Sequence, residues 1–433
     1  MAGGSSDRPG VRVALVGLGC RVSRADLDAL AASLPPGLSL AGQGERAALV
    51  VVGTCTVTAD ADSASRQAVR RAAREHPGAR IVAAGCYAER CPAALRALPG
   101  VAAVVGARSQ GGLPEVLSRL AGGAPEAEAG ATGPVWDLGA GARIRDARPV
   151  VKVQDGCDRR CGYCPVPLAR GPSRSMPFEA ALERIGALRA RHPEVVLAGV
   201  RLGAYGRELS PARSLAELVR RAAEGEGGRI RLSSLEPGEL PLELLDDRRV
   251  RRTLCPHLHL PLQSGSRRVL GAMGRHGDPG ELARAVRAAA ARLPGACLGT
   301  DVLVGFPGEE EEDHRETVAM VAALPFAYLH VFPFSPRPGT PAAALAGAVP
   351  AAVVRRRAAE LRALSAERWR GFLAAQVGRT LEVVVERVVG GEARGTSAEF
   401  APVRWACTGE RRGELARVRV VACDLAGCAG ARR

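Results

Sequence analysis

Short apolar runs alternate with longer, partly polar segments along the first 120 residues. Valine- and alanine-rich runs predict four buried strands, at residues 11–16, 48–52, 80–84 and 101–105. Ala- and Arg-rich stretches at residues 62–76 and 88–98 predict helices between them. Such alternation is typical of a parallel sheet with helices on both faces. We therefore predict an N-terminal parallel α/β domain over residues 9–120, followed by a Gly-, Ala- and Pro-rich linker over residues 121–141.

The same alternation continues, with more units, over residues 142–375. Six apolar runs predict parallel strands, at residues 150–154, 195–199, 229–233, 257–260, 298–305 and 328–332. Amphipathic stretches at residues 177–191 and 281–293 predict helices between strands, and residues 355–370 predict a strongly basic one. Strands of this kind close partway into a barrel, with the functional site in the loops at their carboxyl ends. We predict a central partial (β/α)6 barrel.

Beyond residue 376 the pattern becomes that of a β structure. Valine-rich runs at residues 380–387 and 416–421 predict strands, while Gly390-Gly391 and Gly413 predict turns. The predicted fold class is therefore α/β, with a small C-terminal all-β barrel over residues 376–433.

The chain carries 60 Lys and Arg residues against 45 Asp and Glu, a net charge of +15 that favours a polyanionic partner such as RNA. Because Lys152 is the single lysine, the arginine excess is also typical of a biased genomic base composition, and a solvated arginine face is the competing interpretation. Hydrophobic and charged fractions of 47% and 24% exclude a largely disordered chain. No run approaches about 20 uninterrupted apolar residues, and the first residues lack signal-peptide features, so we expect a cytoplasmic protein with no membrane contact.

Twelve cysteines in such a chain favour metal or redox chemistry over a disulfide scaffold. Cys157, Cys161 and Cys164 form a C-x3-C-x2-C run directly after a predicted strand. Three thiolates in so short a loop hold three corners of a cubane iron–sulfur cluster and leave the fourth iron open. Zinc is a weaker interpretation, because no fourth ligand follows at finger-like spacing. Three unrelated buried cysteines are the remaining alternative.

A second group, Cys20, Cys55 and Cys86, follows three predicted strands of the first domain. Since the carboxyl ends of parallel strands share one edge of a sheet, these cysteines are predicted to converge there as a second metal site. Buried cysteines also serve as small hydrophobes, which is the alternative. Dinucleotide binding through Gly17 and Gly19 is disfavoured because Val22 stands where a third glycine belongs.

The C-x3-C-x2-C run resembles the signature of the radical S-adenosylmethionine (SAM) enzymes, with Tyr163 as the aromatic residue before the third cysteine. Almost the whole chain resembles the methylthiotransferases, which have three cysteines in an N-terminal domain, a radical SAM domain and a C-terminal TRAM domain. The segments that carry this resemblance are Gly19-Cys20-Arg21-Val22, Thr54-Cys55-Thr56-Val57-Thr58, Ser65-Arg66-Gln67 and residues 256–266, 300–309 and 329–335. They are most similar to the subgroup acting on N6-threonylcarbamoyladenosine in tRNA.

The resemblance implies two 4Fe–4S clusters, one on Cys157, Cys161 and Cys164 and one on the N-terminal cysteines. The first would bind SAM and cleave it to a 5′-deoxyadenosyl radical. The second would hold the sulfur to be inserted, and another SAM would supply the methyl group. The implied target is C2 of a modified adenosine next to the anticodon of a tRNA anticodon stem-loop. A reductant such as flavodoxin or ferredoxin and a sulfur source are implied partners, and we expect a monomer.

Further SAM contacts are predicted for residues at the ends of the barrel strands, namely Tyr163, Gly199, Ser233, Glu236, Gln263 and Gly305. Structural hydrogen bonding or a tight turn is the alternative for each. His259 is interpreted as a structural or substrate-facing residue rather than a metal ligand. Cys423 and Cys428, like the other cysteines outside the two groups, are interpreted as ordinary small residues.

The chain departs from the family pattern at three positions. Ser23 and Gly53 stand where relatives usually carry asparagine, and Met176 stands where they usually carry arginine. The first two bear on the surroundings of the second cluster, and the third on a contact near the substrate or SAM.

Two other functions compete. A methylthiotransferase acting on isopentenyl-adenosine tRNA or on a ribosomal protein would use the same chemistry, but Val22 and Thr56-Val57-Thr58 favour the threonylcarbamoyl subgroup. A non-catalytic, metal-containing RNA-binding protein is the alternative of a different class, and iron content and SAM cleavage distinguish it.

Overall fold

A computed structural model describes residues 10–42, 44–130, 133, 136, 146–275 and 277–432. The described residues divide into two compact units. The first comprises those up to residue 136 together with Pro165–Gly171, and the second comprises residues 146–164 and 172–432. No helix of the described chain is long and apolar enough to cross a membrane.

The first unit is built on a five-stranded parallel sheet with the strand order β2-β1-β3-β4-β5. Its strands are β1 (Val11–Val16), β2 (Leu38–Leu40), β3 (Leu49–Thr54), β4 (Arg80–Gly85) and β5 (Val101–Gly106). Its helices are α1 (Arg21–Ala32), α2 (Ala59–Glu75), α3 (Cys86–Arg90), α4 (Pro92–Arg96), α5 (Leu113–Ala121) and α6 (Val166–Arg170).

Alternating side chains of the central strands enter two hydrophobic cores. Val51 and Val82 pack on one side of the sheet, and Val50 and Ile81 pack on the other. The predicted parallel α/β architecture is confirmed. The helix predicted at residues 88–98 is instead divided into α3 and α4 at Cys91, because Pro92 lacks the backbone N–H that a continuous helix needs.

The start of the predicted linker packs against the first unit. Ala127 is buried in one of its cores, and Arg80 donates hydrogen bonds to the carbonyl oxygens of Leu120 and Ala124 at 2.7 and 2.6 Å. Most of the linker beyond residue 130, and the predicted domain start at residue 142, lie outside the described residues.

The second unit contains two three-stranded parallel sheets, β10-β9-β6 and β11-β12-β13. Its strands before the C-terminal barrel are β6 (Val150–Lys152), β7 (Gln154–Asp155), β8 (Arg174–Ser175), β9 (Glu194–Ala198), β10 (Arg229–Leu232), β11 (His257–His259), β12 (Cys297–Val304) and β13 (Tyr328–Pro333). Its helices are α7 (Phe178–Arg189), α8 (Leu215–Glu224), α9 (Arg248–Thr253), α10 (Arg267–Ala272), α11 (Pro279–Arg292), α12 (Glu311–Ala323) and α13 (Ala351–Ala374). An isolated parallel bridge between Ile230 and Leu254 lies where the two sheets meet. The six strands of these sheets are the six that the sequence predicts, and the partial barrel is confirmed.

Five strands close the C-terminal barrel in the order β14-β15-β16-β18-β17. They are β14 (Thr380–Val389), β15 (Glu392–Ser397), β16 (Pro402–Ala406), β17 (Leu415–Asp424) and β18 (Gly427–Arg432). Gly390 and Gly391 form the predicted turn, with φ values of 59° and 77° that suit a tight hairpin. Cys423 and Cys428 face each other on β17 and β18 and form a disulfide, which the sequence analysis did not predict.

A fully buried ion pair joins β9 to β10. Arg231 Nε lies 2.6 Å from Glu194 Oε1, and Arg229 Nε lies 2.8 Å from Glu194 Oε2. Arg231 also donates to the carbonyl oxygen of Ser397 in β15 at 2.9 Å, which ties the partial barrel to the C-terminal barrel. Burial raises the pKa of Glu194, but the neighbouring guanidinium groups outweigh it and lower the pKa to about 2.

Glu194→Gln removes the carboxylate and leaves Arg231 buried without its counter-ion. We expect the free energy of unfolding to fall by about 3–5 kcal/mol, the usual cost of removing one partner of a buried pair. Because the folded-state pKa is about 2 against an ordinary 4.5, the carboxylate stabilises the protein fully above pH 4.5, and this stabilisation is lost as the pH falls toward 2. Urea unfolding near neutral pH and near pH 3 should therefore show a smaller difference from wild type at the lower pH.

Glu224→Gln is the matched control, because Glu224 pairs with Arg221 at 3.3 Å on an exposed surface. Its free energy of unfolding should change by less than about 1 kcal/mol. An equal loss of unfolding free energy in the two variants would contradict a stabilising role for the buried Glu194–Arg231 pair.

Candidate metal centres

The C-x3-C-x2-C loop is shaped by the residues that precede it. The Gln154 side-chain amide donates to the carbonyl oxygens of Asp155 and Gly156 at 3.0 and 2.8 Å, so it holds the backbone just before Cys157. Lys152, the single lysine, pairs with Asp155 at 3.0 Å in the interior. Further along, Gly162 N–H donates to the carbonyl oxygen of Met273 at 2.8 Å. Both ends of the cysteine loop are therefore fixed by hydrogen bonds.

Burial raises the pKa values of Cys157 and Cys161, while arginines around the loop oppose the shift. Arg201 and Arg159 act on Cys157, and Arg275 and Arg159 act on Cys161. The free thiols are therefore protonated near neutral pH and would lose protons when iron binds. The guanidinium groups favour the thiolate form that a cluster requires.

Two glutamates hold these arginines in place. Glu236 lies 3.0 Å from Arg159 and 2.5 Å from Arg275, and Glu239 lies 3.0 Å from Arg201 Nε. Glu236 thus already has two guanidinium partners beside Cys161. Its carboxylate oxygens can still accept a hydrogen bond from an amino group such as that of SAM.

Three other predicted SAM contacts lie at the same end of the partial barrel. Ser233, just after β10, has a buried Oγ with no hydrogen-bond partner among the described residues, which fits a ligand contact. Gln263 has a φ of 72°, which is strained for a residue other than glycine and typical of functional sites. Tyr163 is partly buried beside Arg275, whose Nη1 lies 3.3 Å from its hydroxyl oxygen. Arg275 donates hydrogen bonds to Glu236 and Tyr163 and also interacts with Cys161, so one guanidinium links the cysteine loop to two predicted SAM contacts.

The two predicted glycine contacts have local structural roles. A Cβ on Gly199 would lie 2.9 Å from Gln154 Oε1, so glycine leaves room for the side chain that shapes the loop. Gly305 has a φ of 80°, and a Cβ there would lie 2.5 Å from Val354 of α13. Direct contact of either glycine with SAM stays a prediction.

The second group of cysteines converges in the first unit. Cys20 precedes α1, Cys55 follows β3 and Cys86 follows β4, so all three stand at the carboxyl edge of the sheet. Burial raises the pKa values of Cys55 and Cys86, the nearby Cys20 thiolate adds to both shifts, and the Cys55 thiolate adds to the shift of Cys86. Cys20 is exposed, Cys55 is partly buried and Cys86 is buried.

Two hydroxyl side chains fix the backbone at the carboxyl edge of this sheet through hydrogen bonds. Ser65 Oγ accepts from Cys55 N–H at 3.0 Å, which fixes the Cys55 loop to α2. Thr54 Oγ1 donates to the carbonyl oxygen of Ala84 at 2.8 Å and accepts from Ala88 N–H at 3.1 Å, which fixes α3 to β3. Gly85 has a φ of 112°, and a Cβ there would lie 2.7 Å from the carbonyl oxygen of Thr54, so only glycine lets Cys86 approach β3 this closely.

Arg170 of α6 reaches the same edge. Its Nε lies 3.3 Å from Cys86 Sγ, and its Nη2 lies 2.9 Å from Asp26 Oδ2 of α1. Burial raises the pKa of Cys86 to about 11, and Arg170 opposes this shift. A buried cation beside three thiols fits a centre whose ligands must become thiolates.

The structure also locates the three departures from the family pattern. Ser23 is buried, with Oγ 3.8 Å from Cys20 Sγ and 3.3 Å from Arg170 Nη2. Gly53 lies within β3, and a Cβ there would approach Leu27 to 2.9 Å. Met176 is buried, and its carbonyl oxygen accepts from the Tyr205 hydroxyl at 3.0 Å.

Sequence reasoning missed the arginines that lie beside both cysteine groups. Nothing in the sequence links Arg170 to a cysteine 84 positions earlier. Arg159 stands inside the cysteine run, and this position was the one available signal for the arginines of the first group.

Comparisons with known proteins agree with this organisation. Residues 151–321 match the Radical SAM superfamily, and residues 12–106 match the Uncharacterized protein family UPF0004. The chain is 35% identical to the threonylcarbamoyladenosine tRNA methylthiotransferase MtaB of Aquifex aeolicus, over 87% of this chain and 93% of that protein.

Relatives with other named substrates are nearly as similar. The tRNA-2-methylthio-N(6)-dimethylallyladenosine synthase of Cereibacter sphaeroides is 33% identical, over 96% of this chain and 97% of that protein. The ribosomal protein uS12 methylthiotransferase RimO of Desulforudis audaxviator is 34% identical, over 90% of this chain and 89% of that protein.

Among solved structures, the radical SAM methyltransferase TsrM of Kitasatospora setae has a similar fold. The TM-score is 0.57 at 17% identity, over 77% of each chain. At this identity the likeness concerns the fold alone. The similarity to MtaB over most of the chain, together with the two matched domains, shows that this chain belongs to the radical SAM methylthiotransferase family.

Proposed function

We propose that this enzyme transfers a methylthio group to C2 of N6-threonylcarbamoyladenosine next to the anticodon of tRNA. Cys157, Cys161 and Cys164 would hold one 4Fe–4S cluster, and Cys20, Cys55 and Cys86 would hold another. The observation that carries the proposal is the convergence of this second group of thiols at one sheet edge. A single radical SAM cluster needs no such group, whereas sulfur insertion needs a place to hold sulfur.

Chemistry at an aromatic C–H explains why two centres are needed. C2 of an adenine carries no acidic proton, so acid–base catalysis and a simple nucleophile do not suffice. SAM at a reduced cluster supplies the radical and methyl chemistry. The residues of this chain bind, orient and enclose these groups, with Arg159, Arg201 and Arg275 favouring thiolates at the first centre and Arg170 at the second.

A groove beside the second centre favours an RNA substrate. It has a volume of about 420 Å³ and is lined by Leu18, two residues before Cys20, and by Arg70, Arg71 and Arg74 of α2. Arg71 pairs with Glu75 at 3.9 Å, while Arg70 and Arg74 have no carboxylate partner among the described residues. Unpaired arginines in a row suit the phosphates of an RNA backbone.

The first prediction concerns cellular tRNA. A strain lacking this gene should lose 2-methylthio-N6-threonylcarbamoyladenosine, and the wild-type gene should restore it, as measured by mass spectrometry of digested bulk tRNA. Loss of 2-methylthio-N6-isopentenyladenosine instead would assign the enzyme to the other tRNA substrate. Unchanged tRNA, with loss of the methylthio group from a ribosomal protein, would exclude tRNA as the substrate.

Iron content tests the two-centre assignment. Anaerobically reconstituted wild type should hold about eight irons per chain, and replacing either group of three cysteines by alanine should leave about four. The Cys157, Cys161 and Cys164 variant should lose SAM cleavage. The Cys20, Cys55 and Cys86 variant should keep SAM cleavage but lose methylthio transfer, because its sulfur-holding centre is absent.

The matched control replaces Cys91 and Cys407, two partly exposed free cysteines outside both groups. It should keep full iron content and activity. A wild-type protein with about four irons, none of them lost when the N-terminal cysteines are replaced, would contradict the second cluster.

The arginine groove can be tested by binding. Replacing Arg70 and Arg74 by alanine should weaken binding of an anticodon stem-loop RNA and reduce the slope of log K against log salt by about 0.7–0.9 per lost phosphate contact. Fluorescence anisotropy over a salt series measures both quantities. Replacing Arg284 and Arg287 of α11, which removes the same charge from another exposed helix face, should change neither quantity beyond a general charge effect. Equal losses in both variants would contradict a specific role for the groove.

A further inference from the structure

One face of the β11–β12–β13 sheet changes from buried to open along β13. Tyr328 is 9% exposed, whereas the side chain of His330 is 54% exposed and Phe332 is 40% exposed. These residues alternate along the strand, so they share one face of the sheet. An imidazole and a phenyl ring therefore stand together on a surface that the described part of the chain leaves uncovered, with ring centroids 6.2 Å apart.

A chain of hydrogen bonds orients the imidazole of His330. Its Nδ1 lies 3.2 Å from Asp301 Oδ1, and the same oxygen lies 2.9 Å from His259 Nε2. His259 Nδ1 lies 3.2 Å from the Tyr328 hydroxyl, which also lies 2.9 Å from His257 Nε2. Burial raises the pKa of Asp301, but hydrogen bonds from the two histidines outweigh it and hold the pKa well below its usual range, so Asp301 is a carboxylate.

This arrangement leaves one atom of His330 available. With Nδ1 on the carboxylate, the ring directs Nε2 away from Asp301, and Nε2 has no hydrogen-bond partner among the described residues. Because Asp301 is itself held by buried His259, the direction of Nε2 is fixed by the interior of the sheet. A ring held this way is preorganised to bind a polar group.

The same face leads to the first candidate cluster. Parallel pairing sets Asp301 opposite His330 and Leu303 opposite Phe332, nearer the carboxyl ends of the strands. Leu303 belongs to a hydrophobic cluster against which Tyr163 and Phe334 pack, and Tyr163 precedes Cys164. His330 and Phe332 thus lie along one sheet face that continues to the cysteine loop.

The chemistry of this pair fits a modified base. Enzymes that act on a base take it out of its stack, and unstacked bases in RNA pack on aromatic side chains. An imidazole nitrogen bonds a polar substituent and gains nothing from a hydrocarbon one. The threonylcarbamoyl group carries a urea, a hydroxyl and a carboxylate, whereas the isopentenyl group carries none of these.

We propose that Phe332 packs against the target adenine and that His330 Nε2 hydrogen-bonds its polar N6 substituent, with Asp301 and His259 as positioning residues. This inference rests on the proposed function, because it assigns the substrate-binding surface of the same reaction. His330 then determines substrate specificity, because its hydrogen bond stabilises binding of a threonylcarbamoyl group but not of an isopentenyl group.

The test compares two anticodon stem-loop RNAs that differ in one base, carrying either N6-threonylcarbamoyladenosine or N6-isopentenyladenosine. With cluster-loaded, full-length enzyme, His330→Leu should lower kcat/KM on the first RNA by about 10- to 100-fold, mainly by raising KM. The ratio of kcat/KM on the threonylcarbamoyl RNA to kcat/KM on the isopentenyl RNA should fall by the same factor. His330→Gln places an amide near the position of Nε2 and should recover part of the loss.

His192→Leu is the matched control, because His192 lies on the same unit outside the sheet face described. The His192→Leu variant should keep the wild-type ratio of kcat/KM between the two RNAs. Iron content and thermal melting of each variant show whether the clusters and the fold are intact, so loss of activity through misfolding is recognised.

Different failures have different meanings. A wild-type enzyme that modifies the isopentenyl RNA but not the threonylcarbamoyl RNA overturns the proposed substrate. An active wild type with an unchanged substrate ratio in His330→Leu overturns this inference alone. The ligand atoms of His259, Asp301 and His330 lie within 4.8 Å of one another, so a further metal equivalent that His330→Leu loses would assign the three residues to a metal ion and also overturn it.

Discussion

Burial of cysteine thiols is the constraint on which both candidate centres depend. Burial raises the pKa values of Cys55, Cys86, Cys157 and Cys161, so a metal-free protein keeps these groups neutral. A cluster needs thiolates, and the charge of its iron compensates for burying them. Loading of the clusters is therefore coupled to proton release, and each neighbouring guanidinium lowers the cost of that step. The arginine excess of the sequence has this local use in addition to any contact with RNA.

The surroundings of the two cysteine groups differ in a way that suits different tasks. The loop of the second unit lies in a network of three arginines and two glutamates, which holds its side chains in fixed positions. Beside the sheet-edge group lies the buried Arg170, anchored by Asp26, and Cys20 of this group is exposed. A loop whose surrounding side chains are held by several ion pairs suits the binding of one small cofactor. A centre open on one side, next to the arginine groove, suits contact between held sulfur and a large substrate.

Periodicity alone predicted the strands of the three parallel sheets except β2, because buried parallel strands are continuous apolar runs. The edge strand β2 (Leu38–Leu40) was missed because it is only three residues long and partly buried. Periodicity also placed the two cysteine groups at strand ends. It did not predict the division of residues 88–98 into two helices, although Pro92 was a visible signal. Periodicity could not predict the charged contacts around the cysteines. Arg170 contacts Cys86, and Arg275 contacts Glu236, because the fold brings together residues that are far apart in the sequence. Local pattern specifies elements, whereas the charges that adjust thiol chemistry come from long-range contacts.

The polar residues on one face of the barrel strands are the strongest sign that this face serves a purpose beyond stability. Glu194 and Arg231, and then His257, His259 and Asp301, occupy positions where a barrel built for stability alone would carry branched apolar side chains. Burying such groups costs desolvation free energy even when they are paired, and apolar replacements of similar volume are often at least as stable. The hydrogen-bond chain from His257 through Tyr328, His259 and Asp301 ends at the open ring of His330. A buried network that terminates at an exposed, oriented imidazole is difficult to explain by packing. Its position on the sheet face that continues to Tyr163 gives it an explanation in substrate binding.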